Sequence, residues 1–184
     1  MSLWSSKSLH HGGTNVAALF LATLVLFPAG LAGGALPDNR WQVLAISYPD
    51  RRTVEVSLGG SAKTLTSVGE AKVKWRAGKA QVELRVEALP APASLSWPDR
   101  QYVLWAIDNE KRAINLGTVP LRGTKAEWRV EVPLRTFGLL VTAEKNAQAQ
   151  QPGDAVVLES LLPRDTTLVV PVFQVNVTLA ATAG

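Results

Sequence analysis

The clearest regularity in the chain is a strict alternation of apolar and polar residues over 70–87. Ala71, Val73 and Trp75 alternate with Glu70, Lys72, Lys74 and Arg76; beyond Ala77-Gly78, Ala80, Val82, Leu84 and Val86 alternate with Gln81, Glu83, Arg85 and Glu87. A period of two sends one set of side chains into a core and the other into water, which is the signature of a half-buried β-strand. Two such runs joined through a glycine predict a hairpin, with Gly78 at a positive φ that a residue bearing a Cβ resists. The same alternation predicts strands over 53–58, stopped by Gly59-Gly60, and over 126–132, stopped by Pro133. The runs 102–107 and 137–143 are instead apolar nearly throughout. They predict central strands covered on both faces, or strands whose outer face meets a loop or partner.

Shorter strands are predicted over 41–47 and 155–159. The last apolar run covers 167–179, where Val169, Pro171, Phe173, Val175, Val177 and Leu179 would share one face. Its proline argues for an edge strand. Such a strand either closes the fold or is offered to a neighbouring protein by edge pairing, so Pro171 and Phe173 are candidate partner contacts. Pro49-Asp50, Gly59-Gly60, Asp108-Asn109, Gly117, Gly123 and Pro152-Gly153-Asp154 punctuate the runs, and 89–99 is a proline-rich crossing loop. The best helix candidate is the polar stretch 144–151. Many short strands at even spacing predict an all-β fold, an antiparallel immunoglobulin-like β-sandwich, with a β-barrel as the alternative.

The N-terminus follows a different grammar. Residues 8–37 carry no charged side chain, Lys7 precedes them, and the apolar residues are densest over 16–27. Pro28, Gly30, Gly33 and Gly34 then weaken a helix. A cationic start, an apolar core and a small-residue exit form a secretory leader helix, with candidate cleavage points after Ala35 or Ala32. The competing reading is an uncleaved membrane anchor. The expected organisation is therefore a leader over 1–35, a β-domain over 36–165, and a C-terminal strand and tail over 166–184. Both readings place the β-domain outside the cytoplasm, in the periplasm or at the cell surface.

Composition narrows the chemistry. The 184 residues contain no cysteine and two histidines, His10 and His11, both in the leader. The body thus lacks the groups for Ser-His or Cys-His catalysis, histidine proton shuttling and thiolate zinc sites, and no cofactor or metal is expected. The formal net charge is +4 with mixed signs and no basic stripe, which argues against nucleic acid as a partner. Contact with a membrane is expected only through an uncleaved leader.

Individual side chains add candidates. Trp75 and Trp128 fall on inward strand positions and read as core residues. Trp97 lies in the proline-rich loop, where its indole either plugs the end of the fold or stacks on a partner, and it is the third candidate contact. Asp108-Asn109-Glu110 offers oxygen ligands but is also ordinary turn chemistry. Ser61-Ala62-Lys63 is the only hint of a Ser-Lys pair, and Glu83, Glu87, Glu127 and Glu131 read as solvent-facing.

Three segments carry a family resemblance: Tyr102-Val-Leu-Trp-Ala-Ile107, then Asn115-Leu-Gly117, then Phe137-Gly-Leu-Leu-Val-Thr-Ala-Glu144 followed by Pro152-Gly-Asp-Ala-Val-Val-Leu158. Over residues 70–160 the chain resembles the extracytoplasmic C-terminal β-sandwich domain of anti-sigma-K-type regulators and related exported bacterial proteins. Only about 15 residues precede the apolar leader, none of them cysteine, so sigma-factor binding does not carry over. The resemblance implies an outer domain alone. The expected role is a non-catalytic binding or structural module of the bacterial envelope, recognising an envelope protein or polymer through loops 94–100 and 144–154 or through an edge strand. The alternatives are a membrane-anchored sensor domain and a carboxylate-dependent hydrolase of envelope polymers.

Overall fold

Among the described residues ten strands follow one another along the chain, nine at expected places and one, β6, that was not expected. They are β1 (Arg40–Ser47), β2 (Thr53–Gly60), β3 (Val68–Arg76), β4 (Lys79–Glu87), β5 (Gln101–Asp108), β6 (Ala113–Thr118), β7 (Ala126–Val132), β8 (Thr136–Glu144), β9 (Val156–Pro163) and β10 (Val172–Thr178). The computed structural model describes residues 39–165 and 168–181. The expected leader over 1–35 and its cleavage points after Ala32 and Ala35 lie outside the described residues. Among the described residues no helix is long and apolar enough to cross a membrane.

All strand pairs are antiparallel and belong to one continuous sheet in the order β10-β1-β8-β9-β2-β3-β4-β7, with β5 on the remaining edge of β8 and β6 beyond it. β8 is the branch point. One edge pairs with β5 along its whole length, while the other is shared between β1 at Phe137 and β9 at Leu140–Thr142. Strand twist and the register shifts at Leu104/Trp105, Val141/Thr142 and Val56/Leu58 curl the sheet. Its terminal strands β6 and β7 come together: a Cβ on Gly117 would lie 3.4 Å from the Trp128 ring. The antiparallel all-β class stands, realised as a single sheet nearly closed into a barrel.

Two apolar cores lie on opposite faces of the β5–β8 pair. The larger is enclosed by the barrel and joins Val54, Val56, Val73, Val82 and Leu84 to Leu104, Leu139 and Val141. The smaller joins Val103, Trp105, Ile107 and Leu140 to Val43, Ala45, Val175 and Val177 from β1 and β10. This is why 102–107 and 137–143 are apolar on both sides. Trp75 and Trp128 are half-buried and packed against the larger core.

The β3–β4 hairpin turns at Ala77 (φ 54) and Gly78 (φ 81). Positive φ at both central residues is the two-residue turn whose twist matches its strands. The helix expected over 144–151 is not formed. Glu144 ends β8, and the residues after it form turns in which Asn146 Oδ1 accepts the Gln148 N–H at 2.9 Å. An asparagine side chain that bonds its own backbone competes directly with helix formation. The run 167–179 is shortened to β10, which starts after Pro171 and pairs with β1 alone. On its core-facing side Val175 and Val177 are buried, whereas Phe173 remains 43% exposed.

Candidate functional site

The antiparallel register gathers loops 61–67, 88–100, 119–125 and 145–155 at one end of the barrel, because Gln101 pairs with Glu144, Val68 with Glu87 and Val86 with Ala126. The two expected recognition loops, 94–100 and 144–154, therefore belong to the same end. Arg100 links them directly, its Nη1 donating to Ala143 O at 3.2 Å.

At this end lies an open groove of 330 Å³ lined by Trp41, Ser61, Ala62, Lys63, Trp97, Arg100, Asp154, Ala155 and Val156. Each wall is set by a local device. Trp97-Pro98-Asp99-Arg100 is a β-turn closed by the Arg100 N–H on Trp97 O at 3.2 Å, with proline at its favoured second position. The turn brings the Arg100 guanidinium to 5.4 Å from the centroid of the Trp97 ring. Trp97 is half-buried and packed against the larger core. It therefore closes the end of the barrel and also lines the groove.

Lys63 comes from the tight turn after β2. Thr64 is buried and its hydroxyl donates to Val157 O of β9, while its N–H donates to Ser61 O at 2.9 Å. Gly60 is required here, since a Cβ would sit 1.8 Å from Thr64 O. The turn carries Lys63 Nζ to 4.5 Å from the Trp97 ring centroid. Ser61 Oγ lies instead beside Thr64 Oγ1 at 3.3 Å, so Ser61 and Lys63 point to different neighbours. Trp41, at the start of β1, forms the opposite wall, its Nε1 donating to Glu159 Oε2 at 2.6 Å.

The loops rest on a buried polar network built from the motif residues. Trp105 Nε1 donates to Thr142 Oγ1 at 2.8 Å, the Thr142 hydroxyl donates to Glu144 Oε1, and Gly153 N–H donates to the same oxygen at 2.7 Å. Asn115 Nδ2 donates to Ala147 O at 2.9 Å and Ala149 O at 2.8 Å, and Asn115 Oδ1 accepts the Gly117 N–H. Trp105, Asn115, Gly117, Thr142, Glu144 and Gly153 are scattered over three sequence segments, yet all hold the 145–153 loop. On the other side, Tyr102 OH donates to Pro90 O at 2.7 Å, tying down the loop that carries Trp97. Burial pushes this phenol up to about 12, so it is a neutral donor at physiological pH.

The other candidates lie apart from the groove. Asp108 is buried at the far end of β5, with Oδ1 accepting the Glu110 and Arg112 N–H groups and Oδ2 accepting Arg112 Nε at 2.6 Å. Both oxygens serve the turn. Glu83 and Glu131 are exposed and face Arg129 and Lys79 across strands. Pro171 and Phe173 flank the start of β10, at the opposite end from Trp97. A larger hollow of 840 Å³ also lies at that opposite end, around Asp50, Arg51, Lys74, Trp75 and Arg76. There the Arg135 guanidinium lies 6.0 Å from the Trp75 ring centroid, but it is also paired with Asp50 at 3.0 Å. Trp41 and Lys63 were not anticipated as partners of Trp97, because nothing local in the sequence joins them. The Trp-Pro-Asp-Arg turn is the one local signal that places Trp97 and Arg100 side by side.

No protein-family model, no curated protein and no solved structure matches the chain.

Proposed function

We propose that this chain is a non-catalytic binding module of the bacterial envelope, exported by its N-terminal leader, which recognises an envelope polymer through the loop end of its barrel. The observation that carries the reading is the groove between Trp41 and Trp97, with Lys63 and Arg100 held over the Trp97 ring. Indole walls on a rigid β-scaffold, with loops pinned from below, suit recognition without rearrangement. The absence of cysteine from the chain and of histidine from its body favours binding over group transfer. The resemblance to the outer domain of anti-sigma-K-type regulators supports the same location, and the curled sheet presents its loops together at one end.

Two experiments test this. N-terminal sequencing of the protein recovered from the envelope fraction should begin at Leu36 or Gly33 if the leader is cleaved. An intact N-terminus would favour the anchored form. Co-sedimentation of the purified chain with insoluble envelope polymer should retain the protein, and Trp97→Ala should release it while preserving the far-ultraviolet β signature. Retention unchanged by Trp97→Ala would sink the assignment of the groove.

A further inference from the structure

We infer that the groove is built for an acidic saccharide, a pyranose unit bearing a carboxylate; this rests on the binding-module reading above. On the outer face of the sheet several cations meet carboxylates: Lys72 faces Glu55, Lys79 faces Glu131, Arg85 faces Glu127, Arg129 faces Glu83 and Arg164 faces Glu70. Lys63 and Arg100 are held in another way. Their neighbour is the Trp97 ring, at 4.5 Å and 5.4 Å, and neither forms an ion pair among the described residues.

An aromatic face holds a cation by its quadrupole without neutralising it. A carboxylate partner would cancel the charge that a ligand must feel, whereas the ring leaves it available. Arg100 is fixed further by its bond to Ala143 O, so one guanidinium edge is spent on the scaffold and the rest of the fork remains for a planar carboxylate. The groove is lined by two cations and one carboxylate, Asp154, while the Glu159 carboxylate beside it is engaged by the Trp41 indole.

Trp41 gives the facing wall an indole surface, anchored through Glu159. Such a surface suits the apolar face of a sugar ring, and 330 Å³ accommodates one or two pyranose units. β2 and β9 are paired on both sides, whereas β1 pairs with β10 along its length and with β8 only at Ile46 and Ser47, away from Trp41. A peptide is therefore the competing ligand, and the oligoglutamate arm of the titration separates it from a saccharide.

The test is calorimetric titration of the purified full chain with a hexuronate oligosaccharide, a neutral glucose oligosaccharide of equal length, and an oligoglutamate peptide. The expected result is binding of the hexuronate at least tenfold tighter than of the neutral sugar, weakening with added salt. Lys63→Ala and Arg100→Ala should each erase most of that preference, and Lys63→Arg should keep it. Circular dichroism of each variant establishes that the fold is retained. Equal affinity for the neutral sugar would overturn the inference and leave the binding-module reading intact. Equal affinity for oligoglutamate would overturn the saccharide assignment. Failure of all three probes, with envelope polymer still retained through Trp97, would overturn the inference alone; failure of retention as well would overturn both.

Discussion

The wall formed by β2, β3, β4 and β7 and the central pair β5–β8 use polar residues in opposite ways. On the wall, every second side chain is in water, and the polar ones are charged and matched across strands, as Lys79 with Glu131 at 2.5 Å and Arg129 with Glu83 at 3.1 Å. Such exposed pairs contribute roughly 0–1 kcal/mol each. Their larger effect is on specificity, because they fix register and discourage pairing with foreign edges. In the central pair both faces are buried, and the polar residues are few and fully committed: Trp105, Thr142 and Glu144 form one chain of hydrogen bonds that ends on Gly153. The same number of polar atoms therefore costs little on the wall and a great deal in the centre if one partner is removed.

The largest break in that comparison should come from the centre. Glu144→Ala is expected to lower stability by about 3 kcal/mol, and Thr142→Val, which strands the Trp105 N–H, by about 2 kcal/mol. Urea denaturation measures both, and proteolysis should move to the 145–153 loop. A loss below about 1 kcal/mol for Glu144→Ala would mean that the network carries no special weight.

Alkaline pH separates the regions next. The chain has two tyrosines, both with phenols held above their usual value by burial, Tyr102 up to about 12 and Tyr48 higher. A raised folded-state value means that their contribution is fully present below pH 10. It is lost as pH rises from 10 through the folded value, because the unfolded chain ionises first. Stability should therefore be flat to pH 10 and then fall by about 1.4 kcal/mol per pH unit for Tyr48. Phenolate absorbance should appear together with unfolding. Among the described residues Tyr48 OH is buried without a hydrogen-bond partner, so Tyr48→Phe is expected to stabilise the protein by about 1 kcal/mol and to soften the alkaline loss. A destabilised Tyr48→Phe would show that this hydroxyl has a partner after all.

The wall should yield the smallest effects. Ala77 sits at φ 54 in the β3–β4 turn, so Ala77→Asn should raise the thermal midpoint, with a gain of about 0.5 kcal/mol. A double-mutant cycle on Lys79 and Glu131 should give a coupling under about 0.5 kcal/mol that vanishes in high salt.

The same contrast explains what could be read from sequence. The β3–β4 hairpin is legible residue by residue, because alternation, turn and charge are all local to 68–87. β6 escaped prediction, since its apolar side chains Ile114 and Leu116 alternate with Asn115 and Gly117 over too short a run to stand out, and are only half-buried. The stretch 144–151, the best helix candidate and also part of an expected recognition loop, forms turns instead, because its conformation is dictated by Asn115 and Glu144, which lie far apart in sequence. Trp97 was legible as a candidate contact and Pro171 and Phe173 as neighbours of an edge strand. The groove was not: Trp41, Lys63 and Trp97 meet only after the barrel has closed.

Arg40 pairs with Thr178 and Trp41 with Val177. β1 thus cannot zip with β10 until every strand between them has been synthesised. Until then the outer side of the β5–β8 pair lacks its cover, and an apolar surface left open in this way invites association with other chains.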